Sequence, residues 1–300
     1  MKKKTYLFAL MAMVLTLGSC SDNENGIGSE TSKYITVSTS IGNMTRVATD
    51  AKGGQTFEEG DEISVYAWTG DATIAPDASE RVVNNAINKL TNGSWVSTPQ
   101  MLWKNSRDKH YFIGVYPTAA ISDLSAGEYT FDANKQTESD LLVAVNPDGL
   151  SYSADAQQTV PLTFTHVMAK LAVNLTYKNQ WGGIPTVEKV VVGNAAKEAT
   201  INYLTKVVTP STTAKEDFSL PEITENTKYV SVIIPQEEVT QLTIVIGGKN
   251  FVYDNGTPFK LESGKITTVN LEVGRDEIKL GDVKITNWED GSTFSGEALN

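Results

Sequence analysis

Cysteine and histidine are almost missing from these 300 residues: there is one cysteine, Cys20, and there are two histidines, His110 and His166. A single cysteine excludes an internal disulfide and any multi-cysteine metal site, so stability must come from packed cores. Basic residues are outnumbered, 25 against 36 acidic, and the net charge is −11. No Lys/Arg-rich run relieves that imbalance, which repels phosphate backbones and excludes nucleic acid as a partner. The G-x-S-x-G elbow, the H-E-x-x-H pair, the Walker A loop and the C-x-x-C motif are all missing, and with them the usual signatures of an enzyme or a cofactor site. Long apolar runs are lacking too. Tyr6 to Leu17 (YLFALMAMVLTL) stops at twelve residues, well short of the ~20 that a spanning helix needs.

That short run is nevertheless informative in its place. Lys2, Lys3 and Lys4 precede it, and Leu17-Gly18-Ser19-Cys20 closes it with small residues. Basic start, apolar middle and small-residue site, in this order, make residues 1–19 a secretory signal peptide. The Leu-Gly-Ser-Cys ending resembles a bacterial lipobox. That resemblance implies cleavage between Ser19 and Cys20, with acyl chains such as palmitate carried on Cys20. Each buried methylene then adds about 0.8 kcal/mol of membrane binding. Loss of the three lysines leaves 22 basic residues against 36 acidic, a mature charge near −14. Residues 20–33, with Ser21 to Ser32 reading SDNENGIGSETS, form a polar, flexible tether. Acid just behind a lipidated cysteine resembles the surface-export signal of Bacteroidetes lipoproteins, which implies an outer-membrane, surface-exposed anchor.

From Tyr34 onward the period is two. Ile35, Val37, Thr39 and Ile41 share one face, and alternation recurs in Glu62–Trp68, His110–Tyr116, Val160–Thr165, Ala169–Tyr177, Tyr229–Ile234, Leu242–Ile246 and Ile266–Val273. Such runs predict strands. Asn92-Gly93, Asn146-Pro147-Asp148-Gly149, Gly247-Gly248 and Asp254-Asn255-Gly256 supply the turn chemistry between them. Ala78 to Leu90 (ASERVVNNAINKL) is the one candidate helix, short because Asn and Val are weak helix formers. Many short strands predict an all-β chain of two tandem antiparallel β-sandwich domains. The polar stretch Tyr152–Thr159 places their boundary, giving an N-terminal domain at 34–157 and a C-terminal domain at 158–300.

Candidate chemistry is thin along this frame. His110 and His166 sit in or at the ends of strands and read as half-buried histidines hydrogen-bonded across a sheet. Asp22–Gly26 and Asp132–Glu138 superficially suggest calcium loops but lack the EF-hand order, so they read as solvated loops. Tyr66, Trp68, Trp95, Trp103, Tyr111, Phe112 and Tyr116 could stack sugars on a glycan-binding surface, yet their places inside strand patterns favour core packing. No catalytic residue, cofactor or metal ligand is assigned.

Several stretches together resemble the fimbrillin family of Bacteroidales. They are Thr45-Arg46, Phe57 to Tyr66 (FEEGDEISVY), Tyr111 to Pro117 (YFIGVYP), Leu162 to Leu175 (LTFTHVMAKLAVNL), Leu261-Glu262-Ser263-Gly264-Lys265 and Ile285-Thr286-Asn287-Trp288. The resemblance implies transthyretin-like, Greek-key sandwiches and a non-enzymatic pilus subunit or tip adhesin that associates with other pilin subunits. It also implies a trypsin-like maturation protease cutting between Arg46 and Val47, removal of the first strand, and donor-strand exchange. The receptor would be a protein or glycan on a host or bacterial surface. The alternative is a monomeric glycan-binding surface lipoprotein of an outer-membrane uptake system. At the far end, Gly281-Asp282 interrupts the alternation of Ile278 and Leu280 with Val283 and Ile285, as a β-bulge or a strand end would.

Overall fold

The computed structural model describes residues 33–42, 56–136, 138–153, 158–239, 241–254 and 258–288. The chain is all-β, as its alternation predicts. The first half holds β1 (Thr36–Ile41), β2 (Glu62–Thr69), β3 (Val83–Thr91), β4 (Ser94–Thr98), β5 (Lys109–Tyr116), β6 (Gly127–Thr130), β7 (Leu142–Ser151) and β8 (Thr159–His166). All but β6 form one sheet in the order β1-β8-β7-β5-β2-β3-β4.

The second half starts with β9 (Ala169–Tyr177), β10 (Val187–Ala196), β11 (Glu198–Asn202), β12 (Val207–Pro210), β13 (Lys215–Leu220), β14 (Glu222–Thr224) and β15 (Lys228–Ile233). It ends with β16 (Gln236–Val239), β17 (Leu242–Ile246), β18 (Lys249–Tyr253), β19 (Phe259–Leu261), β20 (Lys265–Val273) and β21 (Ile278–Asn287). These make a five-stranded sheet β14-β15-β9-β20-β21, a four-stranded sheet β13-β10-β17-β18 and a pair β16-β19, while β6 joins β12-β11-β6. Pairing is antiparallel except at two places, β1 on β8 and β20 on β9.

The central strands of the large sheet are buried on both faces, which explains their unbroken apolar runs. In β2 every residue from Ile63 to Trp68 is buried. Tyr66, Trp68, Ile113, Val115 and Val143 face a large core shared with the second half of the chain. Ile63, Val65, Ala67, Phe112, Leu142, Ala144, Val160, Leu162 and Phe164 face a smaller, separate core on the other side.

One expectation meets a different structure. Residues 78–90 hold no helix; their second half is β3, paired with β2 and β4. The register slips between Val65/Ala67 and Ala86/Val83, and Asn85 takes φ 58°. This bulge adds one residue between the buried Val83 and Ala86 and so imitates helical spacing. β8 lies in one sheet with β1 and β7, and β9 lies in the next, with Val167-Met168 between the two strands.

Candidate functional site: the first strand and its groove

The first strand is short, uncharged and edge-like. Its sequence TVSTSI carries no charge, unlike most sheet edges, which charge protects from pairing with other chains. Its whole length pairs in parallel with β8, from Thr36 opposite Thr159 to Ile41 opposite Phe164. On the outer face Thr36 Oγ1 and Thr159 Oγ1 lie 3.2 Å apart, and Ser40 Oγ donates to Thr163 Oγ1 at 3.1 Å.

Inward, Ile35 and Val37 are buried and Ile41 is partly so, all within the smaller core. Thr39 has no apolar pocket to fill; its Oγ1 accepts the Trp95 indole N–H at 3.0 Å. The other edge of the strand is engaged only near its start, where Ile35 N–H donates to the Met101 carbonyl (2.9 Å) and Trp103 N–H to the Lys33 carbonyl (3.2 Å). The large sheet thus curls until its first strand meets the segment after β4, and β1 closes the smaller core like a stave.

β8 depends on this stave. It meets β7 only at Phe164, Thr165 and His166, opposite Ala144, Val143 and Leu142. Thr159 to Thr163 have β1 as their sole strand partner. Removal of β1 would leave a groove floored by Ile63, Val65, Leu162 and Phe164 and walled by Met101 and Trp103. A fully buried Ile or Val contributes about 1.5–3 kcal/mol, so Ile35 and Val37 together contribute roughly 3–6 kcal/mol and the partly buried Ile41 a smaller share, a large part of the total stability of a typical domain. An empty groove would expose that apolar surface to water.

At the far end of β1, Gly42 N–H donates to the Phe164 carbonyl at 3.0 Å. The Phe57 ring packs edge-on against Trp95, Tyr116 and Phe164, with centroids 5.3, 5.3 and 5.1 Å away. Burial, with the Asp61 carboxylate beside it, pushes the Tyr116 hydroxyl up from its ordinary pKa. The segment that contains Arg46 and Val47 connects Gly42 to this aromatic cluster; both residues, like Ser19, Cys20 and the Asp22–Gly26 loop, lie outside the described residues.

The remaining sequence candidates are structural in their surroundings. His110 is buried; its Nε2 accepts the Lys104 N–H at 3.0 Å and its ring meets Trp103 edge-on. Tyr66, Trp68, Trp103 and Phe112 are buried, while Trp95, Tyr111 and Tyr116 are half-buried. The Asp132 loop folds on itself, Asn134 N–H donating to Asp132 Oδ1 at 2.9 Å. Among the described residues no three His, Cys, Asp or Glu side chains stand together as metal ligands would, and no helix is long and apolar enough to cross a membrane.

The terminal strand is another sheet edge. β21 pairs only with β20, and its register shift between Leu280 and Val283 makes the Gly281-Asp282 interruption a bulge within one strand. Asn270 Nδ2 donates to Asp282 Oδ1 at 2.6 Å beside it. Most of the strand is exposed, including Val283 and Ile285, but Trp288 just past its end is buried.

A family profile described as Fimbrillin-like matches residues 45–288, from just behind β1 to Trp288. The chain belongs to the fimbrillin-like family. A candidate fimbrium subunit, Fim1C, of Bacteroides uniformis is 24% identical over 315 aligned positions, covering 97% of each chain. Crystal structures of candidate cell adhesion proteins share the fold. One from Bacteroides ovatus has a TM-score of 0.64 at 17% identity, over 85% of this chain and 98% of that one. Another, from Bacteroides uniformis, has a TM-score of 0.60 at 18% identity, over 85% and 99%. These relatives are described as fimbrial and cell adhesion proteins.

The sequence pointed to β1, but not to the Trp288 ring, which stacks on His166 with centroids 4.0 Å apart. Its only signal was the Ile285-Thr286-Asn287-Trp288 match, which names no partner for the ring.

Proposed function

We propose that this fimbrillin-like protein is a pilus subunit or tip adhesin, exported as a lipoprotein acylated on Cys20 and assembled by donor-strand exchange. A trypsin-like protease cuts between Arg46 and Val47, β1 leaves, and a strand from another subunit takes its place. One observation carries the reading: an uncharged edge strand seals a small core of its own, with Arg46 on the connection directly behind it. The family match beginning at residue 45, past that strand, supports the same division. The monomeric glycan binder draws no comparable support, since the rings named for it, all but Trp103 within strands, are buried or half-buried.

N-terminal sequencing with intact mass, on protein from the cell surface with and without a trypsin-like protease, tests the proposal. The expected product begins at Val47, has lost the lipid, and runs as ladders that survive mild denaturation. A chain that always begins at acylated Cys20 and stays a monomer overturns it.

A further inference from the structure

The stretch from Asp132 to Glu138, which superficially suggested a calcium loop, reaches across to the second half of the chain. It belongs to the connection 131–141 between β6 and β7. Its ends are fixed: Phe131 N–H donates to the Lys197 carbonyl at 2.8 Å, and the Tyr129 hydroxyl donates to the Ser139 carbonyl at 2.8 Å. Its base is closed, since Ser139 Oγ donates to the Asp132 carbonyl at 3.0 Å. This loop presents Gln136. The side-chain Nε2 donates to the Ala133 carbonyl at 2.9 Å, which orients the amide, and Oε1 accepts the N–H of Val232 in β15 at 2.7 Å.

The strand it meets has an edge in need of cover. Tyr229-Val230-Ser231-Val232-Ile233-Ile234 is an uncharged run rich in β-branched residues, the composition that pairs most readily with other chains when its edge is open. On one side β9 pairs with β15 from Lys228 to Ile233. On the other, β14 has three residues and reaches only Lys228 and Tyr229, and Val230 N–H finds the Pro221 carbonyl at 2.9 Å. Residues two apart turn their N–H groups to the same neighbour in an antiparallel ladder, so Val232 is the next rung. Gln136 fills that rung with a side-chain oxygen where a strand would place a carbonyl. Just past the strand, Gln236 Nε2 donates to the Ile234 carbonyl at 3.1 Å. Two side-chain amides thus finish an edge on which no further described strand lies.

We propose that the 131–141 loop, through Gln136, is a guard that keeps β15 from pairing with the β15 of a second copy of this chain. Two identical edges set antiparallel about a two-fold axis are complementary to each other, which makes a second copy the occupant of an opened β15. The proposal is independent of the strand-exchange reading, which concerns β1 and its groove. In a chain that assembles through one edge, the guard removes a competing one.

Hydrogen exchange with mass spectrometry and sedimentation velocity on the full, uncut chain test this, because β1 then fills its groove and takes no part. Two variants open the edge: Gln136→Met, which keeps the length of the side chain without its amide, and replacement of 133–138 by two glycines across the closed base. Both are expected to exchange at 230–234 about tenfold faster than the parent, as loss of one hydrogen-bonded rung predicts. Gln136→Glu, which keeps an oxygen for the Val232 N–H, is expected to stay near the parent. The excised chain is expected to form dimers as its concentration rises, with protection at 230–234 returning in the dimer. Should excision remove protection throughout the chain, Gln136→Met is read by the same two measurements. Unchanged exchange at 230–234, equal acceleration by the Met and Glu variants, a monomer at every concentration, or dimers in which 230–234 stays unprotected would each overturn the guard.

Discussion

The two histidines show how little a residue type says without its neighbours. Both read from the sequence as half-buried histidines hydrogen-bonded across a sheet, because each lies in or at the end of an alternating run; both are buried, and the hydrogen bonds go to loop residues, Lys104 and Asp108 just before β5 for His110 and Asp140 for His166. His110 meets a backbone N–H and an indole edge, and burial lowers its pKa from the ordinary 6.5. The folded chain therefore holds the proton more weakly than the unfolded chain. Stability should be complete above the unfolded value and decline as pH falls through it toward the lowered folded value. His110→Gln should flatten that part of the curve while costing roughly 1–3 kcal/mol for the disturbed burial and hydrogen bond. Urea midpoints for both proteins between about pH 8 and pH 5 check it; parallel slopes would deny His110 its part. Gly114 makes a similar point about fit, since a Cβ there would lie 2.6 Å from Phe164 Cζ. The missing side chain leaves the space that the Phe164 ring fills.

At the level of elements, period-two runs with Gly, Asn and Asp between them were readable because burial on one or both faces of a sheet writes itself directly into alternation or into unbroken apolar runs. What failed was spacing altered by bulges. Asn85 turned β3 into an apparent helix, and Gly281-Asp282 left β21 undecided between a bulge and a strand end. Parallel pairing of β1 with β8 was equally invisible, as register is decided by the core that Ile35 and Val37 enter, not by anything local. The same core makes β1 separable in energy. Ile35→Ala should cost about 2–5 kcal/mol, most of it from the cavity and lost burial, and nearly all of that should come from retention of the strand. In cleaved protein the released fragment should then elute from gel filtration separately and early in a time course, whereas the parent fragment co-elutes with the body. Equal retention would mean that backbone pairing to β8, and not side-chain burial, holds the strand.

For the molecule as a whole, the two parallel pairings put the first strand and the terminal hairpin on consecutive strands, β8 and β9, joined by Val167-Met168. A body that has lost β1 should be less stable by roughly 3–6 kcal/mol, the burial lost with Ile35 and Val37, with a smaller share from the partly buried Ile41. Exposed apolar surface and unpaired β8 amides should then recruit any strand with the right alternation. A synthetic peptide of residues 33–42 added to the stripped body should raise its melting temperature by mass action, more with each tenfold of peptide. The same peptide with Val37→Asp should not, because a carboxylate in that pocket would be buried without a partner. A peptide of residues 278–288 should act in the same direction if β21 is the natural donor, its uneven spacing at Gly281-Asp282 then requiring the bulge to persist in the complex or only half of its apolar residues to dock. Indifference of the melting temperature to all three peptides would mean that the groove closes on itself once β1 has gone, and a subunit with a closed groove has no seat for its neighbour.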